Sequence, residues 1–405
     1  MITIQEIKTF CVNNDYDVRK SHNGRWFDQK CTPDVVCIIA DCVYQYAINN
    51  GAKTEFMSVD IWRSEYAADN VEAIFNKPGV GHKMAQNEYD KFFAQPLELL
   101  ANAKILYKKK KGNRNHYSVN KLNILEYIAL RERNALTFLN IYIEAVLTDS
   151  GIMYIFDDFF DKQSDDLFQI LKERYEDFTI SNTPINGLTE VRRIFTKVLN
   201  PLAFTRKKRG TAKGRMSKDI ISFDSLMYNQ ANFRDIYVEK PKGITRKEYA
   251  ATHPVEVNDA YFKYQSTKAK KFLKQWNDDY RNGESEYSVG VLPGDKATNI
   301  HHIFSESQFP EISYYLENLI ALTPTQHYNH AHNDFNTQEI NSQYQHMLLL
   351  AKSEIIESDI SNDTTETIYE FDKFVYVLKA GFDEDIEIET MDFPTIVREI
   401  NLHYT

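Results

Sequence analysis

The sequence predicts a mainly helical α+β chain of several domains, and three observations carry that reading. At 405 residues it exceeds the size at which one hydrophobic core stops growing. Most of its length repeats apolar residues at helical spacing. Strand-like runs interrupt that pattern near residues 105–120 and 299–323.

Composition bounds the rest. Apolar residues make up 42% and charged residues 26%, as in ordinary globular proteins, and most of the 25 Tyr and 25 Phe are expected in cores. A net charge of −10 argues against indiscriminate coating of nucleic acid. No run of 18 apolar residues exists, and the start MITIQEIKTF lacks a basic region followed by an apolar one, so a cytoplasmic protein with no membrane partner is expected. Cys11, Cys31, Cys37 and Cys42 show no CxxC pair and read as buried free thiols. No GxxxxGK[ST] string is present, so no nucleotide cofactor is expected.

Taken in order, TPDVVCIIADCVYQYAINNG reads as a helix with Thr32 as N-cap and Pro33 at the first helical position. Val35, Ile38, Ile39, Cys42, Val43 and Tyr46 form its apolar face, and Asn50-Gly51 ends it. QPLELLANAKILYKKKKGNRNHYSVN then predicts a helix and two short strands around a basic turn. That order ends a winged-helix domain, with Lys108, Lys109, Lys110, Lys111 and Arg114 at the tip; a solvated hairpin is the other reading. Residues 1–120 are therefore taken as a winged-helix-like domain.

Residues 121–200 carry helical periodicity broken at Ser150-Gly151 and read as scaffold. FTRKKRGTAKGRMSKDI follows, with Arg206, Lys207, Lys208, Arg209, Lys213, Arg215 and Lys218 before any acid. It predicts a flexible basic loop that tracks a phosphate backbone, because each neutralised phosphate releases condensed counterions. STKAKKFLKQWNDDYRNG is a helix ending at Gly283. Residues 201–335 form the third segment, and 336–405 contribute the helices NTQEINSQYQHMLLLAKSEIIES, TTETIYEFDKFVYVLKAGF and FPTIVREINLHY, which pack on it.

Of eleven histidines, five lie close together: His301, His302, His327, His330 and His332. Histidine is the commonest metal ligand and the side chain best poised for proton transfer near neutral pH. TNIHHIF predicts a strand, LIALT a second, and PTQHYNHAH a helix opening at Pro324. Adjacent strand residues face opposite ways, so His301 and His302 do different work. His327 and His330, three apart on a helix, share a face.

The strings N-I-H-H-I-F and E-N-L-I-A-L-T-P-T-Q-H-Y-N-H-A-H resemble the HNH (ββα-metal) nuclease motif, and the colicin-type branch in particular. The resemblance implies His302 as general base, Asn318 as the residue holding the loop, and a metal site on His301 and His327. That branch uses a further ligand at the position of Ala331 here, so His330, His332 or water takes its place. One divalent ion is implied, Mg²⁺ or Mn²⁺ first, with Ni²⁺ or Zn²⁺ as nitrogen-tolerant alternatives.

A chain much longer than a minimal HNH module, without an ATPase motif, resembles a type II restriction endonuclease with an HNH core. The resemblance implies a homodimer cutting double-stranded DNA at a specific sequence and leaving 5′-phosphate and 3′-hydroxyl ends. Three alternatives stand beside it: a nonspecific or toxin-type nuclease acting on DNA or RNA, a winged-helix regulator, and a metalloenzyme of unrelated chemistry. Clustered histidines serve a regulator nothing, and cationic loops serve an unrelated hydrolase nothing.

Overall fold

The computed structural model describes all residues except 76, 84, 229–235, 238–239, 255–256, 330–331, 334–335, 363–365, 385, 387 and 389–390, and gives the backbone alone at 328–329, 332–333 and 336–340. The chain is mainly helical with small antiparallel sheets, the α+β class expected. It divides into two compact units, Ile2–Ala231, and Asn232–Thr405 with Met1. Among the described residues no helix is long and apolar enough to cross a membrane.

The first unit opens with α1 (Ile4–Val12), where Thr3 and Glu6 form a reciprocal capping box, and the single turn α2 (Val18–Ser21). The predicted helix is α3 (Pro33–Asn50). Thr32 stands at its N-cap with extended backbone but makes no capping bond, so Pro33, which lacks an N–H, does the starting. Val35, Val36, Ile38, Ile39 and Val43 are all buried, because this helix is wrapped rather than half-exposed. Cys11, Cys31, Cys37 and Cys42 are buried and free.

After α4 (Ser58–Trp62), α5 (Glu65–Phe75) and α6 (Ala85–Asn102) come β1 (Leu106–Lys111) and β2 (Arg114–Val119), an antiparallel pair closed by a two-residue turn. Gly112 takes φ +60° there, which an L side chain resists. The helices α7 (Leu122–Leu130), α8 (Glu132–Asp149), α9 (Met153–Lys162), α10 (Asp165–Asn182) and α11 (Leu188–Thr205) complete the scaffold.

The basic stretch that follows is not a flexible loop. It is a second antiparallel hairpin, β3 (Arg209–Ala212) and β4 (Arg215–Ile220), pinned to α11. Asn200 accepts from the Thr211 N–H at 2.8 Å and donates to its carbonyl at 3.0 Å. That approach is close enough that a Cβ at Gly210 would meet Asn200 Oδ1 at 2.5 Å. Gln163 accepts from the Arg209 N–H at 2.7 Å. Short-range propensity could not anticipate these tertiary bonds, and they convert Gly210, which reads as a breaker, into a packing position.

The second unit begins with α12 (Arg246–Thr252) and α13 (Asp259–Tyr280), which reaches further towards the N-terminus than its apolar pattern indicated. Two strands follow, β5 (Asn299–His302) and β6 (Leu319–Leu322), antiparallel with His301 opposite Ile320 and His302 opposite Leu319. Then comes α14 (Pro324–Asn329), giving strand, loop, strand, helix in the predicted order. The helix is shorter than expected. His332, read as helical, lies in β7 (His332–Asn333), which pairs with β8 (Asn336–Ile340), and His330 lies outside the described residues. NTQEI is therefore strand. α15 (Ser342–Ile360) starts only after Asn341, whose side chain accepts from the Tyr344 N–H. The chain closes with α16 (Phe371–Phe382), which begins several residues later than predicted, and α17 (Phe393–His403).

Candidate active site around the paired histidines

β6 is buried along its whole length, and Glu286 bonds Ala321 on it with both backbone and side chain. Glu286 donates its N–H to the Ala321 carbonyl at 2.8 Å and accepts the Ala321 N–H on Oε2 at 2.8 Å. Arg281 at 2.7 Å, the Tyr369 hydroxyl at 2.8 Å and Lys352 at 3.4 Å surround the same group. Burial pushes the Glu286 carboxyl up, but Lys352, Arg281, the Ala321 N–H and Tyr369 outweigh it and hold it below the usual carboxylate range. Burial brings Lys352 down to about 8, with Glu286 opposing.

The loop between the strands is stapled from within. Asn318 is fully buried, accepts the Phe304 N–H at 2.8 Å, and donates to the carbonyls of Phe304 at 3.0 Å and Ile312 at 3.2 Å. All its polar capacity goes to backbone two or more residues past His302, so it is a positioning residue. Gln326 does the same for α14, accepting from Thr323 N and Ser285 Oγ and donating to the carbonyls of Tyr287 and Val289. Its neighbour His327 is thereby held against β5.

His301 is 4% exposed and its ring meets that of His327 edge to face, centroids 5.2 Å apart. His302 leaves the strand on the other side. Its Nε2 lies 2.9 Å from the Ser313 carbonyl oxygen and 3.2 Å from Ser266 Oγ on α13. A carbonyl only accepts, so Nε2 carries the hydrogen and Nδ1 the lone pair in the neutral ring. Burial, with Lys270 adding to it and the Ser313 bond opposing, lowers the His302 pKa to about 3, so the ring is neutral at physiological pH. Because Nε2 is already a donor, it cannot take a proton from Ser266. A serine nucleophile of the Ser–His type is therefore excluded by the hydrogen-bond pattern.

Two imidazoles on one ion, with metal–nitrogen distances of about 2.1 Å, stand roughly 4.6–5.3 Å apart between ring centroids for angles from octahedral to tetrahedral. The His301–His327 pair fits that spacing. Among the described residues no group of three or more His, Cys, Asp or Glu is arranged to hold a metal. His330 and the side chain of His332, the expected third ligands, lie outside the described residues.

The two basic patches differ in compensation. On the first hairpin, Lys108 pairs with Glu98 at 2.5 Å, and Lys111 and Lys109 both reach Glu55. On the second, Arg206 pairs with Glu144 at 2.9 Å and Arg209 donates to the Gln163 carbonyl. Lys207, Lys208, Lys213, Arg215 and Lys218 meet no carboxylate within ion-pair distance among the described residues, and Lys213, Arg215 and Lys218 are exposed along the hairpin. Sequence reading did not find Gln326, Glu286, Ser266, Lys270 or Glu306. Only Gln326, next to His327 in the P-x-x-H string, sat inside a visible motif. No protein-family model matches this chain, and neither a curated protein nor a solved structure matches it.

Proposed function

We propose that the chain is a metal-dependent nucleic-acid hydrolase of HNH type, with double-stranded DNA as substrate. The observation that carries the reading is the edge-to-face pairing of His301 and His327 at 5.2 Å, from the first strand and the helix of a strand–loop–strand–helix unit that Asn318 locks internally. His301 and His327 would hold one divalent ion. That ion, when bound, supplies positive charge to the leaving 3′ oxygen.

The chain's own residues do the remainder. His302 takes a proton from the attacking water through Nδ1, since its Nε2 is committed to Ser313. Asn318 fixes the loop that positions His302. The uncompensated cations Lys207, Lys208, Lys213, Arg215 and Lys218 bind backbone phosphates. In the finer reading the enzyme is a sequence-specific, dimeric restriction-type endonuclease, with α6, β1 and β2 forming the end of a winged helix. The paired state of Lys108, Lys109 and Lys111 makes that hairpin the weaker phosphate contact of the two.

The test is cleavage of a sequenced plasmid with Mg²⁺ or Mn²⁺ by wild type and His302→Ala. Discrete fragments that disappear in the variant support the sequence-specific enzyme, and a smear that disappears supports a nonspecific nuclease. Equal cutting by both proteins overturns the assignment of His302.

A further inference from the structure

The nucleophile side of the histidine site contains a carboxylate that the motif does not include. Glu306 follows His302 by four residues across the bend after β5, and its Oε2 lies 3.8 Å from His302 Nδ1. The same oxygen is 3.9 Å from Lys270 Nζ on α13. Glu306 is 37% exposed, so it stands where the buried His302 reaches solvent.

With Nε2 donating to Ser313, Nδ1 presents a lone pair to a carboxylate oxygen. Two acceptors face each other with no protein hydrogen between them. At 3.8 Å they are too far apart to bond directly and well placed to share one donor that carries two hydrogens. A water making hydrogen bonds of about 2.8 Å to both would subtend roughly 85°, close to its own H–O–H angle. Both its hydrogens are then directed into the protein and its oxygen lone pairs outwards.

We propose that Glu306 and His302 together hold the attacking water, with Lys270 keeping the Glu306 carboxylate turned towards His302. The proposal rests on the hydrolase reading above and adds a residue to it. In the step, the water oxygen forms the new bond to phosphorus while the bond to the leaving 3′ oxygen breaks. One water proton passes to His302 Nδ1 and from there to solvent. The leaving oxygen takes a proton from solvent, so a phosphodiester and water give a phosphomonoester and an alcohol. Glu306 keeps its charge throughout; its contribution is orientation, through the hydrogen bond it accepts from the water's second O–H.

The experiment uses the full chain, Mn²⁺ and whichever nucleic acid wild type cleaves, with single-turnover rates measured beside affinity in Ca²⁺. Glu306→Ala should slow the single-turnover step by roughly 100-fold at unchanged affinity. Glu306→Gln, whose amide oxygen still accepts, should recover most of the rate. Glu306→Asp, one methylene short, should not. The double variant with His302→Ala should be no slower than His302→Ala alone, because the two act on one water. Wild-type rate in both Glu306→Ala and Glu306→Asp, or fully additive losses in the double variant, overturns the role of Glu306 and leaves the hydrolase reading standing. A wild-type protein that cleaves neither DNA nor RNA overturns both.

Discussion

The ring of His302 is oriented by the carbonyl of Ser313, 2.9 Å from Nε2, and this one bond decides which nitrogen is available for chemistry. Nothing in the local string N-I-H-H-I-F specifies it. Ser313 lies eleven residues on, brought back by a loop whose geometry depends on Asn318.

Asn318→Ala should destabilise the unit containing it. The substitution leaves the Phe304 N–H and the carbonyls of Phe304 and Ile312 without their partner in a fully buried site, at about 1–3 kcal/mol for each group left unsatisfied. Urea unfolding of the variant against wild type measures this. An unchanged midpoint would show that the loop holds itself.

His301→Ala and His327→Ala should each weaken Mn²⁺ binding by more than the 10- to 100-fold typical of losing a residue that merely orients a ligand. Calorimetric titration of the purified protein provides the measurement, and EDTA should abolish cleavage reversibly. Undiminished Mn²⁺ affinity in both variants would remove these rings from the metal site.

Neutralising Lys213, Arg215 and Lys218 should weaken DNA binding and flatten its dependence on salt by about 0.9 in log–log slope for each phosphate left without its cation. Neutralising Lys109 and Lys111 should change the slope less, because both reach the carboxylate of Glu55, which offsets one of their two charges. Fluorescence anisotropy across a salt series compares the two sets. A larger effect from the β1–β2 pair would reverse the assignment of the phosphate-binding hairpin.

The Glu286 cluster should make this unit acid-sensitive. Its folded carboxyl titrates below the unfolded value of about 4.3, so its stabilisation is fully present above that value and is lost as pH falls through the folded pKa. Glu286→Gln should therefore flatten the pH dependence of stability in the acid range. Lys352→Ala, which leaves the buried carboxylate with Arg281 as its remaining cation, should cost about 3–5 kcal/mol near neutral pH. Parallel acid profiles for wild type and Glu286→Gln would contradict the first expectation.

Much of the helical architecture was legible in the sequence because helices are written locally. Pro33 and Gly51 bracket α3, and Ser150-Gly151 separates α8 from α9. The strand–loop–strand–helix order around the histidines was legible for the same reason, since β-branched runs and a proline-led turn are short-range signals. Errors arose where a local signal was shared by two structures. Gly210 and Gly214 signal a break, but Asn200 packs against Gly210 and Gly214 takes the turn with φ +79°, so both belong to a hairpin. N-T-Q-E-I carries no strong preference, and pairing with His332–Asn333 makes it a strand.

The sequence by itself determined the class of the fold, the strand–loop–strand–helix order around the histidines and the concentration of imidazoles in one short segment, because periodicity, capping and turn chemistry act over a few residues. Tertiary structure alone decided that Glu286 bonds Ala321 on β6, that Gln326 anchors α14, that His302 turns its Nδ1 towards Glu306, and that Glu98 and Glu55 pair with Lys108, Lys109 and Lys111 on the first basic hairpin. Those relationships join residues from four to more than fifty positions apart. They exist only where packing of the whole chain compensates the desolvation of each polar group, and a linear pattern does not encode that compensation.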